Sequence, residues 1–327
     1  MRRFLGIDGG GTKTRFLLID ESGRVLASHL EGSAYYLEIG LDGLKSMLGR
    51  GIHRTLQQAG VRAEDLTHTF VGIPAYGEDR SLLDLLDAAP SEALPRNSYH
   101  CGNDMMCGWA GALAGEDGVN IVAGTGSIAY GEYKGRSARA GGWGELFSDE
   151  GSAYWLAREG LQLFSRMSDG RSPRGALYER VRQHFALQED LDLCAAVYGT
   201  DVAQRSRLAQ LSRVVAEAAS AGDRSATELF LRAAREMIEL IDAVRVRLQV
   251  PAAVRLAVSY SGGMFQLRAL LLEPLAALLC EPTRNYELRS ATLPPHAGAA
   301  LYAARLAGVT LPPQSLDALR ANTNAAD

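Results

Sequence analysis

Residues 4–7, Phe-Leu-Gly-Ile, form an apolar run that ends at Asp8. Gly9, Gly10, Gly11, Thr12, Lys13 and Thr14 follow, and a second apolar run occupies 16–19. Two such runs around a glycine-rich segment predict a strand, a tight turn and a returning strand. That turn constrains the chain more than any other stretch. Glycines lack a Cβ, so successive N–H groups can converge on one anion. Thr12, Lys13 and Thr14 add hydroxyls and a cation. Asp8, at the strand end, suits a metal ion better than a phosphate, whose oxygens its charge repels. A hairpin of glycines with no ligand is the plainer reading of the same residues.

Two commoner phosphate motifs are excluded by spacing. The Walker loop places lysine directly after its second glycine, whereas Thr12 intervenes here between Gly11 and Lys13. The dinucleotide fingerprint needs a third glycine where Thr14 stands, and it opens a helix rather than a strand. The hairpin pattern then restarts beyond Glu116, Asp117 and Gly118. Residues 119–123 are an apolar strand, Gly124, Thr125, Gly126 and Ser127 a small polar turn, and 128–133 a returning strand. Two phosphate-type hairpins imply an internal duplication, with two lobes facing across a cleft.

Between these landmarks the pattern predicts a strand at 25–30, a helix at 41–59 stopped by Gly60, and a strand at 67–73. A short helix at 82–86, a strand at 99–102 and a helix at 105–114 complete the first half. Residues 141–151 read as an irregular loop, with a helix from Ser152. Long helices at 178–184, 202–221 and 225–248 follow, then a strand at 254–259, a helix to 279, a strand at 286–288 and a helix at 295–307. The tail beyond Pro313 is polar and expected to fray. The expected domains are 1–117, joined by the C-terminal segment 295–327, and 118–294 with a helical insertion. Hinges are expected near 114–118 and 294–295.

The 327 residues, 47% hydrophobic and 22% charged, suffice for two modest globular domains. A net charge of −4 implies no broad basic surface for nucleic acid. No apolar run approaches a membrane span. Cys101, Cys107, Cys194 and Cys280 show no CxxC and no metal-ligand spacing. They read as reduced thiols, hence an expected cytoplasmic location.

In chain order, Asp8 with its glycine turn, Asn103-Asp104, Gly124-Thr125-Gly126-Ser127, Gly141-Gly142-Trp143-Gly144, Ser148-Asp149-Glu150-Gly151-Ser152-Ala153-Tyr154-Trp155 and Ser261-Gly262-Gly263 carry a resemblance. Together they resemble the N-acetylglucosamine kinase branch of the BadF/BadG/BcrA/BcrD ATPase family, over residues 4–306. The resemblance implies an α/β fold of two ribonuclease-H-like (actin-like ATPase) lobes with a nucleotide and sugar cleft. It implies an ATP-dependent amino-sugar kinase with Mg2+, acting on a sugar hydroxyl, the 6-OH, in a homodimer. Gly9, Gly10, Gly11, Thr12, Lys13 and Thr14 match the first phosphate loop, with Asp8 near the magnesium. Gly124, Thr125, Gly126 and Ser127 match the second. Gly262 and Gly263 match a glycine pair beside the nucleotide, and Ala209 a helix beside the adenosine. Asp104 matches the catalytic aspartate. Ser33, Tyr35, Asn103, Asp104, Gly142, Trp143 and Asp149 fall at sugar-contacting positions.

Two departures bear on the acceptor. Tyr35 and Ile128 stand where relatives carry asparagines that touch the sugar. Loss of two amides changes which hydroxyls a pocket can read, so glucosamine, N-acetylmuramate and other hexose derivatives stay open beside N-acetylglucosamine. Two other functions compete: an ATPase that activates a radical dehydratase or reductase, and a sugar-responsive regulator without catalysis.

The chemistry agrees independently of the resemblance. Phosphoryl transfer needs anion cradles, a metal ion and one carboxylate beside the attacking hydroxyl. Asp104 follows a predicted strand end, at a sheet edge where ligands bind, and can accept a hydroxyl proton. It is equally placed to cap the helix at 105–114. Asp149 is open to sugar contact or helix capping, Trp143 to sugar stacking or core packing, and Lys13 to phosphate contact or plain solvation.

Overall fold

The computed structural model describes residues 1–95 and 98–324. The chain divides into two compact units, Met1–Asp117 with Ser290–Asp327, and Gly118–Arg289.

In the first unit, β1 (Arg3–Asp8), β2 (Thr14–Asp20), β3 (Val25–Glu31), β4 (His68–Ile73) and β5 (Tyr99–Asn103) form one sheet in the order β3-β2-β1-β4-β5. β1 runs antiparallel to β2 and parallel to β4, and β5 continues parallel to β4. Phe4, Leu5, Ile7, Leu18, Ile19, Val71 and Ile73 are fully buried. That explains why the inner strands are nearly continuous apolar runs rather than alternating ones.

Helix α1 (Tyr36–Ala59) lies against β2 and β3 with Leu44, Met47, Leu48, Ile52 and Leu56 inward, a 3.6-residue stripe. It begins before the expected start at 41, because Gly40 (φ 71, ψ 166) joins two helical pieces across a kink. Gly60 ends it in the left-handed conformation (φ 63). α2 (Leu83–Ala88) and α3 (Met105–Ala112) follow. α11 (Pro295–Leu306), an alanine-rich helix, packs on β1 and α3. Contact there is backbone to backbone: a Cβ on Gly6 would lie 2.1 Å from the Ala300 nitrogen, and one on Gly298 2.2 Å from the Cys107 oxygen.

The tail is a correction to the expected fraying. Residues Pro313–Asn324 form helix α12, with Leu319 fully buried and the Ser315 carbonyl seated where a Cβ on Gly23 would lie. Residues 325–327 of the expected terminal segment lie outside the described residues.

In the second unit, β6 (Gly118–Ala123), β7 (Ser127–Tyr133), β8 (Arg136–Gly141), β9 (Leu256–Ser261) and β10 (Tyr286–Arg289) take the order β8-β7-β6-β9-β10. β6 and β7 are antiparallel, as are β7 and β8, while β9 runs parallel to both β6 and β10. Strand order and direction therefore repeat those of the first sheet, which is the expected duplication. β8 has no counterpart among the expected strands.

Helices α4 (Ala153–Ser168), α5 (Ala176–Phe185), α6 (Asp192–Tyr198), α7 (Arg205–Ala209), α8 (Ser212–Ser220), α9 (Arg224–Arg247) and α10 (Glu273–Leu279) complete this unit, with α9 and α10 making the main packing on the sheet. α9 buries Phe230, Ala234, Met237, Ile241 and Val244 against β6, β7 and β8. Asp223 caps α9 through the N–H groups of Ser225 and Ala226 and accepts a third bond from Leu177 at the start of α5. The single helix expected at 202–221 is instead a 3-10 turn (Asp201–Ala203), α7 and α8. Extended Gln204 (ψ 136) and the short α7 break it. The helix expected up to 279 likewise opens with a 3-10 turn and a π turn. Among the described residues no helix is long and apolar enough to cross a membrane.

Candidate phosphate turns and carboxylate pair

In the first unit the turn from Asp8 to Thr14 is anchored on both flanks. The Gly9 N–H donates to Gly72 O at 3.0 Å, and the Ala34 N–H donates to Gly10 O at 3.0 Å. A Cβ on Gly9 would meet Gly72 O at 2.4 Å, so only glycine fits. Thr14 is fully buried and its hydroxyl donates to Gly32 O at 2.8 Å. Its side chain therefore fixes the loop beginning at Gly32 and is not available to a ligand. Gly11, Thr12 and Lys13 are exposed, and the amides of residues 10–13 donate to no other described residue. These are the free N–H groups an anion cradle requires.

At the same sheet end β1 and β5 deliver two carboxylates, Asp8 and Asp104, to one place. Asp8 pairs in register with Gly72, and a Cβ on Gly72 would lie 2.5 Å from Cys107 Sγ and 3.2 Å from Asp104 Cα. Gly72 thus lets α3 begin close against β1. Burial, then the charge of Asp104, pushes Asp8 up from 3.8 to about 7, with the Cys107 thiol, Lys13 and Arg15 opposing. Burial pushes Asp104 up to about 6, with nearby backbone N–H groups opposing and Glu78 adding to it. Both carboxyls bind protons more tightly in the folded chain than in the unfolded one. Their contribution to stability therefore falls as pH rises from about 4 to about 7. A cation at Asp8 would offset part of that penalty. Mg2+ takes one or two protein carboxylates and completes its shell with water and substrate phosphates, so Asp8 fits it as a ligand, with Asp104 beside it. No described cluster of three or more His, Cys, Asp or Glu side chains forms a metal cage.

Asp104 does not cap α3. That helix starts with Asn103 Oδ1 accepting from the Met105 N–H at 3.1 Å, while Asn103 Nδ2 donates to Tyr76 O at 3.1 Å. Asn103 is therefore committed to scaffolding, and the Asp104 carboxylate is left for chemistry. Ser33 Oγ accepts from the Tyr35 N–H at 3.0 Å and sets the turn that presents Tyr35, which is half-buried.

In the second unit the turn at 124–127 is fastened to the start of α4. The N–H groups of Ala153 and Tyr154 donate to Gly124 O (2.9 Å) and Thr125 O (3.3 Å), and Ser127 Oγ donates to Glu150 O at 2.6 Å. Ser127 mirrors Thr14: each opens its returning strand, is buried, and spends its hydroxyl on a loop carbonyl. The amides of Thr125 and Gly126 donate to no described residue. Gly262 (φ 105) touches the strand below, since a Cβ there would lie 2.2 Å from Ala123 O, whereas Gly263 faces open space. Ala209 is buried in α7.

Asp149 is not a helix cap either; Ser152 caps α4 through the Trp155 N–H. Asp149 is 2% exposed, has φ 63, and accepts from the Ser127 N–H at 3.3 Å and from Arg205 Nη2 at 2.5 Å. Trp143 is not core: it is 67% exposed, with the Arg139 guanidinium 5.5 Å from its ring centre. Arg139 also donates to Gly142 O at 3.0 Å. Ile128 fills the space beside Gly142, 2.7 Å from where a Cβ would lie. Arg139, Glu145 and Arg205 escaped the reading of the sequence. Arg205 is more than 50 positions from its partners, so no local pattern could reveal it.

Cys101 and Cys107 direct their thiols to Leu86 O and Ile7 O, and burial pushes both thiols up.

Comparison with known proteins agrees with this arrangement. An N-acetyl-D-glucosamine kinase of Dictyostelium discoideum is 30% identical over 309 residues, 92% of this chain and 97% of that protein. An N-acetylmuramic acid/N-acetylglucosamine kinase of Clostridium acetobutylicum is 30% identical over 75% of this chain and 79% of its own length. The structure of a presumed N-acetylglucosamine kinase of Chromobacterium violaceum superposes with a TM-score of 0.69 at 26% identity, covering 92% of this chain and 98% of that one. Residues 5–303 match the BadF/BadG/BcrA/BcrD ATPase family, and the chain belongs to it.

Proposed function

We propose that this protein is an ATP-dependent amino-sugar kinase that transfers the terminal phosphoryl group of ATP to a sugar hydroxyl, the primary one. The observation that carries this reading is Asp104: a carboxylate at the end of β5, free of capping duty and adjacent to Asp8. The relatives, which are named as amino-sugar kinases over most of this chain's length, support it. Asp104 accepts the proton of the attacking hydroxyl and aims its lone pair. Asp8 is the residue to hold Mg2+, which supplies charge neutralisation at the transferred phosphate when bound. The free amides of residues 10–13 and of Thr125 and Gly126 are suited to phosphate oxygens.

Trp143 offers an exposed aromatic face to a sugar ring, held by Arg139. Tyr35 and Ile128 stand where the family resemblance places asparagines, so neither position offers an amide to an acceptor. A panel of amino sugars and hexoses with ATP and Mg2+, followed by ADP release, tests the reading. Sugar-dependent release with at least one amino sugar is expected. ATP turnover that no sugar stimulates would remove the kinase assignment.

A pH profile follows from Asp104. The base works only as a carboxylate, and its pKa is raised to about 6. Hence kcat/KM is expected to fall as pH drops through about 6, not through the ordinary carboxylate range near 4. Initial rates between pH 4.5 and 8 check this; a flat profile down to pH 5 would contradict it.

A further inference from the structure

The first turn carries its own cation, Lys13; the second, at 124–127, has none in its sequence. The fold brings one there. Arg205, at the start of α7, places Nη2 2.4 Å from where a Cβ on Gly126 would lie, so its guanidinium covers that glycine. Nη2 donates to Asp149 at 2.5 Å, and Nε lies 3.3 Å from Glu145 Oε2. Asp149 in turn accepts from the Ser127 amide. Two carboxylates and one turn amide therefore fix where this side chain sits.

Arginine carries five N–H donors. Nη1 contacts no described residue, and the side chain is 41% exposed. We propose that Arg205 is the phosphate-binding cation of the second turn, held ready by Asp149 and Glu145 to receive a nucleotide polyphosphate. The assignment rests on the kinase reading only for the identity of the anion. A planar guanidinium pre-set by two carboxylates can offer two parallel bonds to phosphate oxygens, which a flexible lysine cannot. Glycine at 126 then has a reason: an alanine there would occupy the guanidinium's place.

The test is equilibrium binding of ATP and of adenosine, each with Mg2+, to the full chain. Arg205→Gln should weaken ATP by about tenfold or more and adenosine by less than about twofold. Removing Arg205 alone leaves Asp149 buried without its cation, which can unfold the site. The double variant Asp149→Asn/Arg205→Gln removes both charges and keeps the fold, and should show the same selective loss of ATP. Arg205→Lys should recover part of the ATP affinity.

Equal loss of ATP and adenosine would mark a merely structural residue and overturn the assignment. Unchanged ATP binding in the double variant would overturn it too, as would wild-type protein that binds ATP no tighter than adenosine. Binding is read without any sugar. A wild-type protein that binds ATP but phosphorylates nothing would sink the kinase reading while still deciding this one.

Discussion

Asp104→Asn is expected to lower kcat by about 10²- to 10⁴-fold, the usual share of a positioned general base, while KM for ATP and for the sugar changes by less than about threefold. The substitution keeps the volume and shape of the side chain. It removes no helix cap, because Asn103 performs that task for α3. It takes one negative charge away from Asp8, so the Asp8 carboxyl falls from its raised position near 7, and the fold is expected to hold at least as well at pH 7. Steady-state kinetics with a thermal melt of the same sample checks both halves. A variant that keeps a tenth or more of wild-type turnover would show that Asp104 is not the base. A variant that loses activity by unfolding would make the loss uninformative about chemistry, and the melt detects that outcome.

Gly6→Ala is expected to be a severely damaging change to the fold outside the site. A Cβ at position 6 would lie 2.1 Å from Ala300 N and 2.6 Å from Ala299 C, both backbone atoms of α11. Backbone cannot rotate aside as a side-chain tip can. Either β1 or α11 must move, and both are fully buried around that point. The expected cost is about 3 kcal/mol or more, the upper range for overpacked cores. Gly49→Ala is the control. Gly49 lies within α1 with no atom within 4 Å of its Cβ position, and alanine there should stabilise by about 0.5–1 kcal/mol. Urea midpoints for the two variants should move in opposite directions; parallel shifts would contradict the packing of α11 on β1.

What could be read from the residues followed from strong local physics. Apolar runs flanking glycine turns predicted β1, β2, β6 and β7, and the second sheet repeats the strand order of the first. Gly60 ended α1 as expected because only a left-handed residue closes that helix cheaply. The failures share a cause, which is tertiary context. β8 runs Arg-Ser-Ala-Arg-Ala-Gly and shows no apolar alternation, yet it pairs along β7 and buries Ala138. The tail is helical because Leu319 and Thr323 are buried, a benefit invisible in its polar composition. The region at 202–221 keeps a helical period across two breaks that its residues do not announce.

The candidate site divides in the same way. Its carboxylates and glycines stand in motifs and could be picked out by position. The commitments of Thr14, Asn103 and Ser127 to scaffold bonds could not, nor could Arg205, since each depends on a partner from a distant segment.

The central claim is that Asp104 directs a sugar hydroxyl at ATP. A product balance tests it most directly: ADP and sugar phosphate ester measured together by 31P NMR for wild type and Asp104→Asn with an amino-sugar acceptor. One ester per ADP in the wild type, with both products lost in the variant, is the predicted result. ADP and inorganic phosphate with no ester, or an ester yield that Asp104→Asn leaves intact, would contradict it.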